Sequence, residues 1–307
     1  MAHPFLRQAA WATALFLALS ASAGQLAIDR GKDTILIKRG AKPVLDYRIA
    51  PNPFKPYVAR LHTPAGVQIL RDSPHDHVHH HALMFAITAG GIDFWGESPR
   101  AKPGKQVPRS EAKAEGGVIE QTLDWLRPGE KPVLVERRRI IVHDAGPKVT
   151  LVTWHTRLEP AEGRDEVRLT GAHYVGLGLR FVQSMDKVGT FLNPTGKPGE
   201  PVRGTEKLVR APWCAYTAPA DGKPVTVALL DHLGNPRHPA HIFTMTAHFA
   251  YLSATLNLHR QPIALPKGEA LDLVYGIAVW DGAAGADQIG AAYKQWTALA
   301  PKPASPQ

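Results

Sequence analysis

Leu271-Asp272-Leu273-Val274-Tyr275-Gly276-Ile277-Ala278-Val279-Trp280 decides the fold class. Leu271, Leu273, Tyr275, Ile277 and Val279 recur at every second position. That period puts them on one face of an extended chain. The stretch predicts a strand with one face in a core.

Similar stretches lie on either side. Val133 to Val142 is rich in Val and Ile, and Gly146-Pro147 closes the loop after it. Val149 to His155 follows as its expected antiparallel neighbour. Val225 to Leu230, Tyr251 to Leu258 and Thr34 to Ile37 read as further strands. Leu83 to Thr88 and Ile92 to Trp95 flank Gly90-Gly91, a strong hairpin signal. Tyr174 to Phe181 predicts a strand with Val175, Leu177, Leu179 and Phe181 on one face. Gly176, Gly178 and Arg180 fall on the other. Only Ala286 to Leu299 looks helical, with Ile289, Ala292, Tyr293 and Trp296 at spacings of three and four. It is expected against a sheet edge. The polar stretch from Arg100 to Gly117 reads as a long loop. The whole predicts an all-β fold, a large antiparallel β-sandwich with a short C-terminal helix.

The chain start carries Arg7, an apolar run from Ala9 to Leu19, and Ala21-Ser22-Ala23. That order predicts a signal peptide over 1–23, cleaved after Ala23, and a periplasmic or secreted protein. The apolar run is short for a membrane span, which takes about 20 residues. No second run of spanning length follows, so no stable membrane insertion is expected. A single β-sandwich domain is expected over 24–300, with a disordered Pro- and Ala-rich tail over 301–307. The sequence leaves the oligomeric state open.

The net charge is +9, but the basic residues are scattered. The one short run, Arg137-Arg138-Arg139, lies in a strand and has no aromatics interleaved with it. No nucleic-acid partner is expected. Cys214 is the only cysteine, which excludes an intrachain disulfide and a cysteine zinc cluster. Beside Trp213, it reads as a small buried residue. The Gly-x-Gly at Gly176 precedes no helix, so no nucleotide cofactor is expected.

The chemistry concentrates in Arg71-Asp72-Ser73-Pro74-His75-Asp76-His77-Val78-His79-His80-His81. Five histidines fall within seven positions. Imidazole is the commonest metal ligand. In an extended chain His77, His79 and His81 would share a face, with His80 pointing away. A divalent metal held by His77, His79, His80 and His241 is one reading. A set of paired histidines, or of sugar-binding donors with no metal, is the other. Cupins also use His-x-His on a strand, but Leu83 and Met84 stand where that pattern wants Glu.

Trp95 beside Glu97 suits a sugar pocket, because an aromatic face stacks on the apolar face of a pyranose. A core Phe94-Trp95 pair with a surface Glu97 fits the same residues. Gly176 and Gly178 beside Arg180 leave room for a ligand or for a neighbouring backbone. His173 sits at the edge of that strand. Arg203 and Glu206 lie at strand ends, as does the loop of Asn235, Arg237, His238 and His241. That loop either completes a metal sphere, grips a substrate, or is a solvated turn. The expected roles follow. His79, His80, Glu97 and His173 are candidate catalytic residues. Arg71, Trp95, Arg180, Arg203, Glu206, Asn235, Arg237 and His238 are candidates for holding a small-molecule or oligosaccharide ligand.

Four motifs are familiar together: Asp76-His77-Val78-His79-His80, Gly91-Ile92-Asp93-Phe94-Trp95, Gly176-Leu177-Gly178-Leu179-Arg180-Phe181 and Asn235-Pro236-Arg237-His238-Pro239. From about Ile69 to Trp296 the chain resembles an uncharacterised bacterial family once labelled "methane oxygenase PmoA". The methane monooxygenase subunit of that name is an integral membrane protein, whereas this chain has no spanning helix. The resemblance implies instead a galactose-mutarotase-like β-supersandwich. Leu265-Pro266-Lys267-Gly268-Glu269 is similar to a late Pro-Gly-Glu turn in such folds. The expected function is an exported carbohydrate-active protein, a metal-assisted lyase, hydrolase or epimerase acting on a sugar or glycoside. The alternative is a non-catalytic periplasmic protein that binds carbohydrate or metal, copper handling included.

Overall fold

The computed structural model describes residues 25–49 and 54–303. The segment 1–23 and residues 304–307 of the tail lie outside them. Every strand pairing among the described residues is antiparallel.

Leu271–Asp281 is an interior strand of a nine-stranded sheet, between Lys223–Asp231 and Thr150–Pro160. Leu134–His143 and Val118–Leu126 continue that sheet. Leu273, Tyr275, Ile277 and Val279 enter the main core with Trp125, Trp154 and Leu229. Val274, Ala278 and Trp280 face the opposite way and join a second apolar cluster. Both faces of this strand are therefore buried, which the single alternation does not reveal.

The second cluster places the helix. Ala286–Leu299 lays Ile289, Ala292 and Trp296 on the outer face of the nine-stranded sheet. The expected packing against an edge is thus corrected. An apolar outer face of Leu151, Ala228, Leu230 and Val274 needs a cover, and the helix supplies it. Gly276 makes room for it, since a Cβ there would lie 2.6 Å from the Trp296 ring. Trp296 Nε1 donates to Thr153 Oγ1 at 2.8 Å.

Across the main core lies a ten-stranded sheet. Leu26–Arg30, Thr34–Arg39, Lys42–Arg48, Tyr57–Leu61 and Leu83–Ala86 form one half. Gly176–Arg180, Tyr251–Thr255, His241–Met245, Glu206–Arg210 and Glu200–Arg203 form the other. Its Ile37, Leu177, Leu179 and Ile242 meet the inner face of the first sheet in one cluster. The fold is the large antiparallel β-sandwich with a C-terminal helix that the sequence predicts.

A small third sheet joins Ile263–Pro266, Glu166–Thr170, Thr88–Ala89 and Ile92–Asp93. Its hairpin turns at Gly90 and Gly91, both at positive φ (55° and 75°). Such a turn matches the strand twist. The expected strand Leu83 to Thr88 is split, because the chain leaves the large sheet after Ala86 and joins the small one at Thr88.

The expected loop Arg100 to Gly117 also differs. It contributes two short strands, Lys105–Pro108 and Lys113–Glu115, to the nine-stranded sheet. Its anchor is Gln106, fully buried. Gln106 donates to the Phe85 carbonyl and accepts from Arg138 Nη2, both at 2.8 Å.

Arg138 itself is buried inside the sandwich against Glu136, whose side chain is fully hidden. Two Arg138 nitrogens, Trp125 Nε1 and Thr156 Oγ1 all donate to Glu136 within 2.9 Å. The guanidinium lies 4.6 Å from the Trp154 ring centroid. Arg137 and Arg139 alternate to the other face and pair with Glu159 and Glu120. Cys214 is buried and unpaired, and burial pushes its thiol up to about 12.

Replacing Glu136 by Leu is expected to cost roughly 3–5 kcal/mol in denaturant unfolding, because Arg138 would be left buried without its counter-charge. Gly276→Ala is expected to cost about 1–3 kcal/mol by overpacking Trp296. Unchanged midpoints in either variant would refute the packing that assigns them.

Candidate functional site

The histidine segment is not an extended strand. His77 N–H donates to the Pro74 carbonyl and His80 N–H to the His77 carbonyl, both at 2.9 Å, so the chain turns twice. Those turns overturn the expected alternation. His77, His79 and His80 gather on one side, with ring centroids 4.6–5.8 Å apart. His81 points away from them and is almost fully buried.

The three gathered rings form one wall of a cavity of about 330 Å³. Trp95 comes from beyond the glycine hairpin, and Tyr174 from just before Gly176–Arg180. Phe243 and Met245 come from His241–Met245, and Phe249 and Tyr251 from the approach to the next strand. Arg203, Glu206 and His248 complete the rim. His80 sits among the aromatics, 5.3 Å from Phe249, 5.4 Å from Tyr251 and 6.1 Å from Trp95.

The two glycines of the Gly176–Arg180 strand now have separate reasons. A Cβ on Gly178 would lie 1.7 Å from the Tyr251 hydroxyl and 3.3 Å from the Trp95 ring. The room beside Arg180 is thus taken by the cavity's own aromatics. Gly176, at φ 142°, admits the backbone of the neighbouring strand, with the Ala254 carbonyl 2.1 Å from where a Cβ would be. Arg180 is buried with its guanidinium 3.6 Å from the Phe249 ring centroid. It supports the cavity from behind and does not line it.

Apart from His77 Nδ1, which faces Asp76 Oδ2 at 3.1 Å, three buried polar atoms of lining residues have no partner among the described residues: His80 Nδ1, Trp95 Nε1 and Tyr251 Oη. Such atoms are rare, since an unmade buried hydrogen bond costs about 1–3 kcal/mol. Burial, then the nearby His79 and His77, push His80 down to about 2. Burial, then His77, also lowers His79. Both imidazoles are therefore neutral near pH 7.

Beneath this wall runs a chain of charges, buried at Lys55, Glu97 and His81 and open to solvent at Asp72. His81 Nδ1 lies 2.9 Å from Asp72 Oδ1, and Nε2 lies 2.9 Å from Glu97 Oε1. Lys55 Nζ donates to Glu97 Oε1 at 2.5 Å and to the Trp95 carbonyl at 3.2 Å. Tyr57 donates to Asp72 and stacks on His81 at 4.5 Å. With a carboxylate on each nitrogen, both must donate, so His81 is an imidazolium. Burial opposes that charge, but the hydrogen bonds to Asp72 and Glu97 prevail and raise its pKa. Burial likewise opposes the Glu97 charge, and His81 and Lys55 nonetheless hold its pKa below the ordinary carboxylate value. Burial lowers that of Lys55.

The expected site residues divide accordingly. His77, His79, His80, Trp95, Arg203 and Glu206 share the cavity. His173 stands behind its wall, bonded to Glu206 at 3.0 Å and 5.5 Å from the Phe243 ring. Glu97 lies in the buried charge chain rather than on the lining. Arg71 approaches Asp186 at 3.9 Å, outside the cavity. Asn235 and His238 both bind Asp231, and Arg237 binds the carbonyls of Leu256 and Gln261. These three hold their own loop. His241 faces a separate hollow. Among the described residues, no group of three or more His, Cys, Asp or Glu side chains is placed to hold a metal ion.

Tyr174, Phe243, Met245, Phe249 and Tyr251 are not legible as site residues in the sequence, because they read as ordinary strand aromatics and apolars. The only signal available is alternation in His241–Met245, which leaves open which face is the cavity.

Fold and site together define a large antiparallel β-sandwich with an aromatic cavity walled by histidines. The chain belongs to DUF6807, a family of unknown function, whose family model matches residues 34–294. The oxygenase label suggested by the motifs does not come with that match. No curated relative matches the chain. Among solved structures, it is similar to the GH36 alpha-galactosidase AgaA from Geobacillus stearothermophilus, at 12% identity and a TM-score of 0.38, with 84% of this chain and 41% of that chain covered. It is also similar to the alpha-galactosidase from Lactobacillus brevis, at 9% identity and a TM-score of 0.44, with 89% and 42% covered. The chain thus spans less than half the length of these enzymes. No described helix is long and apolar enough to cross a membrane.

The charge chain has a pH signature. The His81 pKa is raised above 6.5 on folding, so its contribution is complete below 6.5 and lost as pH rises through the folded value. The Glu97 pKa is lowered below 4.5, so its contribution is complete above 4.5 and lost as pH falls through the folded value. His81→Gln is expected to flatten the alkaline decline in melting temperature above pH 6.5. An unaltered alkaline limb would mean that His81 is not held as the cation.

Proposed function

We propose that the cavity binds a sugar ring and that His79 acts on it as a general base. One observation carries the reading. His80 Nδ1, Trp95 Nε1 and Tyr251 Oη, without a partner among the described residues, belong to residues that line one largely aromatic cavity. A pyranose presents hydroxyls around its edge and apolar C–H faces. It could meet those polar atoms with hydrogen bonds while its faces pack on Trp95, Phe249 and Tyr251. Arg203 and Glu206 at the rim pair with each other at 2.6 Å, and the remaining guanidinium N–H groups of Arg203 could add a donor.

The two neutral imidazoles suit different tasks. A general base works best with a pKa near the operating pH. His80, held down at about 2, suits orientation by hydrogen bonding. His79 is half-buried and its nitrogens remain available to take a proton from a sugar hydroxyl or an acidic C–H. Epimerase and lyase chemistry begin in this way, and in a hydrolase the same base would instead take its proton from the attacking water. The alternative remains a carrier that holds the sugar without turnover. We place either role in the periplasm or outside the cell, on the strength of the signal-like segment 1–23.

This reading routes no step through a metal. His77, His79 and His80 pack ring against ring, and no three-ligand set stands among the described residues. Elemental analysis of the purified chain is expected to show no stoichiometric metal. One metal per chain, lost in a His79→Ala/His80→Ala variant, would replace the metal-free reading with a metal-held one.

The sugar reading is tested by titrating mono- and oligosaccharides in a calorimeter. Trp95→Ala is expected to weaken binding about tenfold or more, as a central aromatic contact would. His79→Gln is expected to leave binding near the native value and lower turnover by about 10²–10⁴-fold. Binding without turnover in the native chain would favour the carrier, and no binding of any sugar would reject both.

A further inference from the structure

Beside the aromatic cavity lies a second hollow, of about 600 Å³, that no role yet explains. Lys197, Arg210, His241 and Arg260 line it, with Glu200 as its one carboxylate. Lys197, Arg210 and Arg260 have no carboxylate partner among the described residues. Arg210 makes only long contacts, to the carbonyls of Pro239 (3.3 Å) and His238 (3.4 Å). Burial, then the charges of Arg210 and Arg260, lower the His241 pKa against the pull of Glu200. A second, independent feature points to a ligand. Asn257, also on the lining, is more than nine-tenths buried, and its Oδ1 has no partner among the described residues.

The two hollows are neighbours by construction. His241, Phe243 and Met245 alternate along one strand and so share a face. Phe243 and Met245 line the aromatic cavity, and His241 lines the basic hollow. Around the strand His173 lies 5.5 Å from Phe243 and 5.9 Å from His259, the sequence neighbour of Arg260 on the basic hollow.

We propose that the basic hollow binds the oxyanion substituent of an acidic oligosaccharide whose neighbouring ring occupies the aromatic cavity. This rests on the sugar reading above and narrows it to a substrate class. Arg210 and Arg260 offer the planar forks that recognise carboxylate or sulfate oxygens, and Lys197 adds a point charge. Asn257 Oδ1 accepts a hydroxyl of the same sugar unit. A neutral saccharide would leave the excess positive charge unmatched.

Calorimetry on the full chain tests this with three disaccharides of one skeleton. They are a uronate linked to a neutral hexose, its carboxyl-reduced neutral counterpart, and that counterpart carrying a sulfate ester. The uronate or the sulfate is expected to bind about tenfold tighter than the neutral form, and the order of the two identifies the oxyanion. Added salt should shrink the difference, because the hollow is open to solvent. Arg210→Gln/Arg260→Gln, at two exposed positions, should abolish the preference and leave neutral binding and the melting temperature unchanged. Equal binding of all three sugars, or a preference that survives the double variant, overturns this inference and leaves the sugar reading standing. Trp95→Ala should weaken all three alike. If none binds the native chain, both readings fall.

Discussion

The histidine wall depends on one buried cation, His81. It is clamped between Asp72 and Glu97, and Glu97 is clamped in turn by Lys55. The four groups come from three separate stretches of chain between Lys55 and Glu97. Lys55 precedes Tyr57–Leu61, Asp72 and His81 bracket the turning segment, and Glu97 follows the glycine hairpin. A charge taken out of water is tolerated only when it is paired and hydrogen-bonded. The alternation of cation and anion from Lys55 to Asp72 meets that condition and allows little freedom. Because His81 is fixed inward, the turns before it swing His77, His79 and His80 together on the other side. The Lys55 bond to the Trp95 carbonyl ties the aromatic wall to the same chain.

The sandwich supplies the frame. The nine-stranded sheet is apolar on both faces, so one face takes the main core and the other takes the helix. Within the core, Glu136 and Arg138 satisfy each other with help from Trp125, Thr156 and Gln106. This second buried ion pair pins the Lys105–Pro108 strand. Both charge clusters work in the same way, turning a polar residue that would be costly alone into a fixed point between segments. Around the cavity the opposite logic holds. His80 Nδ1, Trp95 Nε1 and Tyr251 Oη there have no partner among the described residues.

Part of the site is legible in the sequence, and the reason is local. Five histidines in seven positions are conspicuous whatever the fold, and so is a tryptophan beyond a Gly-Gly turn. Trp95, His79 and His80 line one cavity in the structure, although an extended chain would have turned His80 away from His79. Glu97 is equally conspicuous, yet its carboxylate belongs to the clamp rather than to the lining. The loop of Asn235, Arg237 and His238 looks like a site because it is polar, but its polar groups are spent on Asp231 and on backbone carbonyls. Residue type announces what a side chain can bond, not which bond it makes.

The sequence by itself determined the class of fold. Period-two patterns such as Leu271 to Val279, and turn residues such as Gly90-Gly91, act within a few positions and need no partner to be read. It also determined where the histidines concentrate, between His75 and His81. Only the tertiary structure decided which histidines act together, which one is charged, and which aromatics enclose them. Those outcomes depend on contacts between residues such as His81 and Glu97, or His80 and Tyr251, set by how strands distant in sequence are ordered across two sheets. Burial and pairing, which set charge, exist only after that order is in place.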